Sequence, residues 1–369
     1  MTAGFVPPPY PYDRLDRFKP LAEALPGGMV DLSIGTPCDA PPAAVVAMLA
    51  ASKSERGYPP SIGTASLRGA AQAWISRRFG VDVPANQIAA CVGTKEFVAT
   101  TAHLLHLRSP DRDTVLYPAV AYPTYEMSAI LAGCRAIAVP TAADGALDLD
   151  SIDPEDASRA LMLWINSPSN PTGALDDLPG AAAWGRTRGV PVFSDECYAE
   201  FTWDGLPRTI LEAGNDGVIA VHSLSKRSNL AGLRLGFYAG DAELVEYLCE
   251  VRKHMGMLVP GPVQAAAAVA LADDEHVGVQ RDRYRRRLES LSAALGKWSG
   301  FDVGMPAGGF YLWFDAEDGW AFAEQFARQA GALVSPGDFY GAGGANNVRV
   351  AAVQPDDRIE LVIQRLGES

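Results

Sequence analysis

The amino-acid sequence predicts an α/β fold: a mainly parallel sheet flanked by helices, with a smaller α+β domain joined to it. Short β-branched runs, each followed by a turn and an Ala-rich amphipathic stretch, recur over roughly residues 41–270. That alternation builds a helix-covered parallel sheet. Ala160–Asn166 and Val190–Ser194 are almost uniformly apolar, as strands buried on both faces require. After Gly261 the alternation gives way to long helical stretches and a few short strands.

In chain order, Gln87–Val92 reads as a strand and Thr94–Leu107 as the helix after it. Asp113–Tyr117 is a strand, and Tyr125–Leu131 a helix that Gly133 stops. Two apolar strands follow, then two more at Gly217–His222 and Leu235–Ala239. Beyond them lie helices at Val263–Leu271 and His276–Leu295, strands at Gly309–Phe314 and Asn347–Ala352, and a closing helix at Pro355–Leu366. The expected organisation is an N-terminal segment (1–40) that joins the small domain, a large domain (41–270) and a small C-terminal domain (271–369). The basic run Arg281–Arg287 reads as a solvated helix face, because Asp282 and Glu289 interleave with it.

A chain of 369 residues can bury a substantial core. Acidic residues outnumber basic ones by 44 to 31, for a formal charge of −13. So negative a surface repels phosphate backbones and anionic membranes, so neither nucleic acid nor membrane is an expected partner. A small anionic substrate needs only a local basic patch. The five cysteines (38, 91, 134, 197, 249) are scattered without a C-x-x-C pair and read as reduced thiols. The five histidines lack metal-ligand spacing, so no metal is expected. With no signal-peptide pattern and no long apolar span, the expected location is cytoplasmic.

Three motifs carry chemistry. In His222-Ser-Leu-Ser-Lys226, a lysine stands just after a strand in a Ser- and Gly-rich turn, with Arg234 eight residues on. A lysine there lies at the ligand-binding end of a sheet. Any single lysine is more often a surface side chain, but flanking strands exclude an ordinary flexible loop. Asn166-Ser-Pro-Ser-Asn170-Pro171 forms a rigid turn whose X-Pro bonds are candidates for cis; alone it reads equally well as a plain connection. Ser194-Asp195-Glu196-Cys197-Tyr198 ends a buried strand with an acid, which is costly unless it meets a cation, though a helix N-cap is the plainer reading.

Together they supply what pyridoxal 5′-phosphate needs. Asp195 can keep a pyridinium nitrogen protonated, Tyr198 and Asn170 can meet the ring's 3′-oxygen, and Lys226 offers the amine for the aldehyde. Ser223, Ser225 and Arg234, with the N–H groups of the Gly93-Thr94-Lys95 turn, suit the phosphate. Asn170, Asp195, Tyr198, Lys226 and Arg234, in this order and spacing, resemble the class I/II aminotransferases of PLP fold type I. The resemblance covers nearly the whole chain. It implies a large domain with a mainly parallel seven-stranded sheet, a small domain built from both termini, and a homodimer with active sites at the interface.

It also implies roles for further residues. Gly35 matches the glycine whose backbone meets the substrate. Tyr58 resembles the tyrosine that reaches the partner subunit's cofactor phosphate, and Tyr122 the aromatic stacked on the ring. Arg349 matches the arginine that grips the substrate α-carboxylate. The implied mechanism is ping-pong: Lys226 holds the cofactor as a Schiff base, then moves the Cα proton as general base.

For substrate, Gly93–Phe97, Ser194–Gly205, Arg252–Met257 with Pro260–Gln264, and Pro336–Gly341 look like N-succinyldiaminopimelate aminotransferase of bacterial lysine synthesis. That resemblance implies exchange between N-succinyl-LL-2,6-diaminopimelate and 2-oxoglutarate. Arg14, Arg17, Lys95, Arg227, Arg252 and Lys253 are candidates to meet the additional carboxylates. A broad-specificity aspartate, alanine or aromatic aminotransferase would share every catalytic residue, and a carbon–sulfur lyase would share the cofactor. A cofactor-sensing transcription regulator would need an attached DNA-binding module, against which the acidic charge and a pattern beginning near residue 30 both count.

Overall fold

The computed structural model describes residues 4–142 and 145–368. A short strand β1 (Val30–Asp31) precedes the main sheet. That sheet is built from β2 (Ile88–Cys91), β3 (Thr114–Pro118), β4 (Arg135–Val139), β5 (Ala160–Asn166), β6 (Val192–Asp195), β7 (Val218–Ser223) and β8 (Gly236–Gly240). Its seven strands run in the order β2-β8-β7-β6-β5-β3-β4. The pairs from β7 to β4 are parallel, whereas β8 is antiparallel to both β2 and β7. The segment from β7 to β8 holds one α-turn (Leu224–Arg227) and one 3-10 turn, not the crossover helix that parallel neighbours need. The chain therefore returns antiparallel.

Residues of β5 alternate between two cores, Leu163 and Ile165 toward one face, Met162 and Trp164 toward the other. The first face is covered by the helices Ala65–Phe79 and Gly261–Ala272, the second by Thr94–Arg108 and Ala242–His254. Each large side chain so buried stabilises the fold by about 1.5–3 kcal/mol. The edge strand β4 has no counterpart in the sequence reading: its apolar run, Ala136–Val139, is short and only partly buried, unlike the runs of the central strands.

Beyond the helix Glu275–Ser299, β9 (Tyr311–Asp315), β11 (Ser335–Pro336) and β12 (Asn347–Ala351) pair antiparallel in the order β11-β12-β9, while β10 (Ala332–Leu333) pairs with β1. Here a third core joins the chain's two ends, with Leu15, Phe18, Val30 and Leu32 packed among Leu288, Phe326, Val350 and Leu366. The basic run is not wholly a solvated face. Arg287 is buried on Asp39 and Asp356, and Arg281 donates to the Glu200 and Thr202 carbonyls. Among the described residues no helix is long and apolar enough to cross a membrane, and no His/Cys/Asp/Glu group could hold a metal ion.

Candidate active site

The carboxyl ends of β2, β5, β6 and β7 open into a cavity of about 420 Å³, where open α/β sheets bind ligands. Because β8 runs against its neighbours, its amino end shares this edge. β7 ends at Ser223, and the Leu224–Arg227 turn carries Lys226 into the cavity. Lys226 Nζ donates to the Gly35 carbonyl at 2.6 Å. Burial brings the amine down to about 8, and the charges of Arg349 and Arg234 act the same way. A Cβ on Gly35 would fall 1.9 Å from Tyr311 Oη, so only glycine admits that tyrosine. Its hydroxyl lies 3.0 Å from that of Tyr198.

β6 ends at Asp195. Its Oδ2 accepts from Tyr125 Oη at 2.9 Å, and its Oδ1 from the Cys197 N–H at 3.2 Å. Burial pushes this carboxyl above the usual range, and those hydrogen bonds partly offset the effect. No Arg or Lys side chain is within ion-pair distance of Asp195 among the described residues. A buried carboxylate opening on a cavity is stabilised by a cation placed there. A protonated ring nitrogen is such a cation.

At the end of β5, Asn166 Nδ2 donates to the Asp195 carbonyl at 2.7 Å, and its Oδ1 accepts from the Asn170 N–H at 2.8 Å. Both Ser167–Pro168 and Asn170–Pro171 are cis. The turn so fixed presents Asn170 Oδ1 to Arg349 Nη1 at 2.8 Å. Arg349, buried on the central strand β12, also donates to Tyr12 Oη and the Ser33 carbonyl, and lies 4.1 Å over the Tyr311 ring. Its Nε has no acceptor among the described residues. A buried guanidinium with a donor unmet suits a carboxylate.

At the other end of the cavity, Gly93 (φ +76°) opens the Thr94–Arg108 helix. A Cβ there would fall 2.2 Å from Arg234 Nη2, so this guanidinium lies directly on the turn. Arg234 donates to the Ala231 carbonyl and to no carboxylate among the described residues. Thr94, Ser223 and Ser225 line the same end. Hydroxyls, a guanidinium and first-turn N–H groups together make a cradle for a dianion. Tyr122 and Lys95 complete the wall, with Lys95 Nζ 4.9 Å from the Tyr10 ring centroid and 5.9 Å from that of Tyr122.

Of the site residues read from the sequence, Tyr58 alone stands outside this cavity; it is 98% exposed. Of the six cations considered for distal carboxylates, only Lys95 reaches the lining. Arg227 and Arg252 are instead buried in ion pairs with Glu200 and Glu96. Lys253 pairs with Glu250 at the surface, Arg14 pairs with Asp338, and Arg17 stacks on Trp320. Tyr12, Tyr125, Ser33 and Tyr311 are site groups that the motifs did not assign. Two of them had a sequence signal: Tyr125, within Ala121-Tyr-Pro-Thr-Tyr125, and Ser33, within the Asp31–Pro37 segment around Gly35.

The donor set fits pyridoxal 5′-phosphate at each end: Asp195, without a salt bridge among the described residues, for the ring nitrogen, the Gly93–Arg234 cradle for the phosphate, and Lys226 between. Comparison with known proteins agrees. Residues 27–366 match the family model of aminotransferase class I and II. The chain is 44% identical to a 4-dedimethylamino-4-oxo-anhydrotetracycline transaminase of Streptomyces rimosus, covering 97% of this chain and 99% of that one. It is 32% identical to an LL-diaminopimelate aminotransferase of Syntrophobacter fumaroxidans, over 97% and 96% of the two chains. A solved structure described as a probable N-succinyldiaminopimelate aminotransferase from Thermus thermophilus superposes with a TM-score of 0.86 at 29% identity, covering 97% of this chain and 99% of that one. The chain belongs to the class I and II aminotransferases. It is a pyridoxal 5′-phosphate-dependent transaminase.

Proposed function

We propose that this transaminase exchanges the amino group of N-succinyl-LL-2,6-diaminopimelate with 2-oxoglutarate, acting as a cytoplasmic homodimer in which Tyr58 reaches the partner subunit's cofactor phosphate. The observation that carries the substrate reading is a pair of cations in one cavity. Arg349 is set for an α-carboxylate, and Lys95 stands on the wall where a second carboxylate would lie. Both substrates carry such a second group.

Bound pyridoxal 5′-phosphate supplies the electron sink that makes the substrate Cα–H acidic. The chain's residues do the rest. Thr94, Ser223, Ser225, Arg234 and the Gly93 turn hold the phosphate. Asp195, oriented by Tyr125 and the Cys197 N–H, keeps the ring nitrogen protonated. Tyr198 and Asn170 meet the ring oxygen, and Tyr122 covers the ring face. Lys226, with a pKa brought to about 8, can take the Cα proton and return it near neutral pH. Gly35 and Arg349 fix the substrate so that this bond faces the amine.

A second reading has its own support. The Streptomyces rimosus relative is named as a transaminase of a 4-oxo-anhydrotetracycline, and the cavity lining here includes Tyr10 and Tyr12, suited to a flat ring system. Glutamate-dependent turnover over a panel of acceptors separates the readings. Dicarboxylic acceptors should lead, with Lys95→Ala raising their KM about tenfold or more and leaving monocarboxylic ones unchanged. A cyclic ketone as best acceptor, with Lys95→Ala silent, would overturn the first reading.

A further inference from the structure

Arg252 lies behind the cavity wall on the Ala242–His254 helix and is only 2% exposed. Its Nη1 donates to Glu96 Oε1 at 2.7 Å and its Nη2 to Glu96 Oε2 at 2.6 Å, fork on fork. Glu96 sits in the first turn of the Thr94–Arg108 helix. Its Oε2 also accepts from the Val92 N–H at 3.2 Å, and its Oε1 from Thr100 Oγ1 at 3.1 Å. Val92 is the residue before Gly93, so this clip closes on the turn against which Arg234 is pressed. The buried Cys91 thiol feels the charges of Arg252, Glu96 and Arg234 together, which puts all three around one residue.

A carboxylate in a first helical turn ordinarily complements the helix dipole. Here the same helix end is the one that meets a phosphate dianion, and an uncompensated Glu96 would oppose it. We propose that Arg252 is a positioning residue of the phosphate site. Its bidentate pair cancels the Glu96 charge and clamps Glu96 to the Val92 N–H, so the first-turn N–H groups and Arg234 act on the phosphate unopposed. The inference rests on the cofactor placement given above.

The test compares pyridoxal 5′-phosphate with pyridoxal, which has the same ring and aldehyde but no phosphate. Equilibrium binding of each to the full-length apoenzyme is read from intrinsic tryptophan fluorescence. Arg252→Met should weaken the phosphorylated ligand about tenfold or more and leave pyridoxal within about twofold. Glu96→Gln should keep or raise the preference for the phosphorylated ligand. The double variant should bring that preference back to within about threefold of wild type. An Arg252→Met that weakens both ligands equally, or a Glu96→Gln that lowers the preference as Arg252→Met does, would overturn the proposal. Removing one partner of a buried pair can unfold a protein. In that event Glu96→Gln and the double variant decide it: a retained preference supports the proposal, and a lost one rejects it. A wild-type apoenzyme without any phosphate preference would defeat the cofactor placement itself. A normal wild-type preference with an unaltered Arg252→Met would defeat this inference alone.

Discussion

Glu196 follows Asp195 at the end of the same strand, but lies outside the cavity lining. Its Oε1 accepts from the Ile210 N–H at 2.8 Å, and its Oε2 lies 3.4 Å from His222 Nε2. Burial raises Glu196 to about 8 and lowers His222 to about 3. For Glu196 the unfolded chain loses its proton near the ordinary value of 4.5, while the folded chain keeps it up to about 8. Its contribution is therefore complete at low pH and is lost as pH rises through that window. His222 works in the opposite sense: neutral in the fold, it stabilises above its ordinary 6.5 and ceases to do so as pH falls toward 3. Glu196→Gln removes only the first dependence. Its stability relative to wild type should rise between pH 5 and 8.5 by roughly 1–4 kcal/mol, measured by urea unfolding at both pH values. Parallel pH profiles would refute this. At Lys226 the expectation is simpler: Lys226→Ala should abolish turnover and the visible band that bound cofactor gives the wild type. Retention of both would exclude it as the anchoring amine. Lys226 and Asp195 were legible because each stands in a short motif at a strand end, whereas Arg349, in the middle of β12, was assigned only through the family resemblance. Tyr311 and Tyr12 were not, because their partners, Tyr198 and Arg349, lie 113 and 337 residues away.

Among the elements, the Gly93 turn shows how backbone freedom becomes binding. With φ +76° and Arg234 Nη2 only 2.2 Å from a would-be Cβ, Gly93→Ala must displace either the turn or the guanidinium. We expect cofactor affinity to fall about tenfold to a hundredfold, read as the dissociation constant of the apoenzyme. An unchanged constant would show that Arg234 is not held against the turn. Apart from β4, the strands of the main sheet and the helices Thr94–Arg108 and Gly261–Ala272 were readable from their apolar runs and turn signals, whereas the helices Ala65–Phe79 and Ala242–His254 were not read. β4 was not read either, since an edge strand needs neither a buried run nor strict alternation. The inward arginines were also misplaced: the sequence put Arg287 on a solvated face and Arg252 among the cations for the substrate, and their distant acids, Asp39 and Glu96, hold them inside instead.

For the whole molecule, the third core binds residues 12–32 to the last helix. Phe18 is 3% exposed there, and Phe18→Ala should cost about 3–5 kcal/mol by denaturant unfolding. Tyr12 is carried by the same segment, so the substrate KM should rise in that variant while cofactor affinity holds. Equal loss of both would show that the segment supports the entire site. Arg349 also depends on this region, through β12. That dependence was hidden in the sequence, where Arg349 is one arginine on a short strand.

The antiparallel return from β7 to β8 also orders events in time. Lys226 and Arg234 lie on the one short connection between β7 and β8 and the Gly93 turn reaches them through the β2–β8 pair, whereas Arg349 waits on Asn170 and Tyr12, 179 and 337 residues away. Contacts between near neighbours close faster than those between remote segments. In a refolding experiment, the phosphate cradle should therefore capture a phosphorylated ligand before the carboxylate site can hold a dicarboxylate inhibitor. Simultaneous arrival of the two signals would show that the site assembles only as a unit.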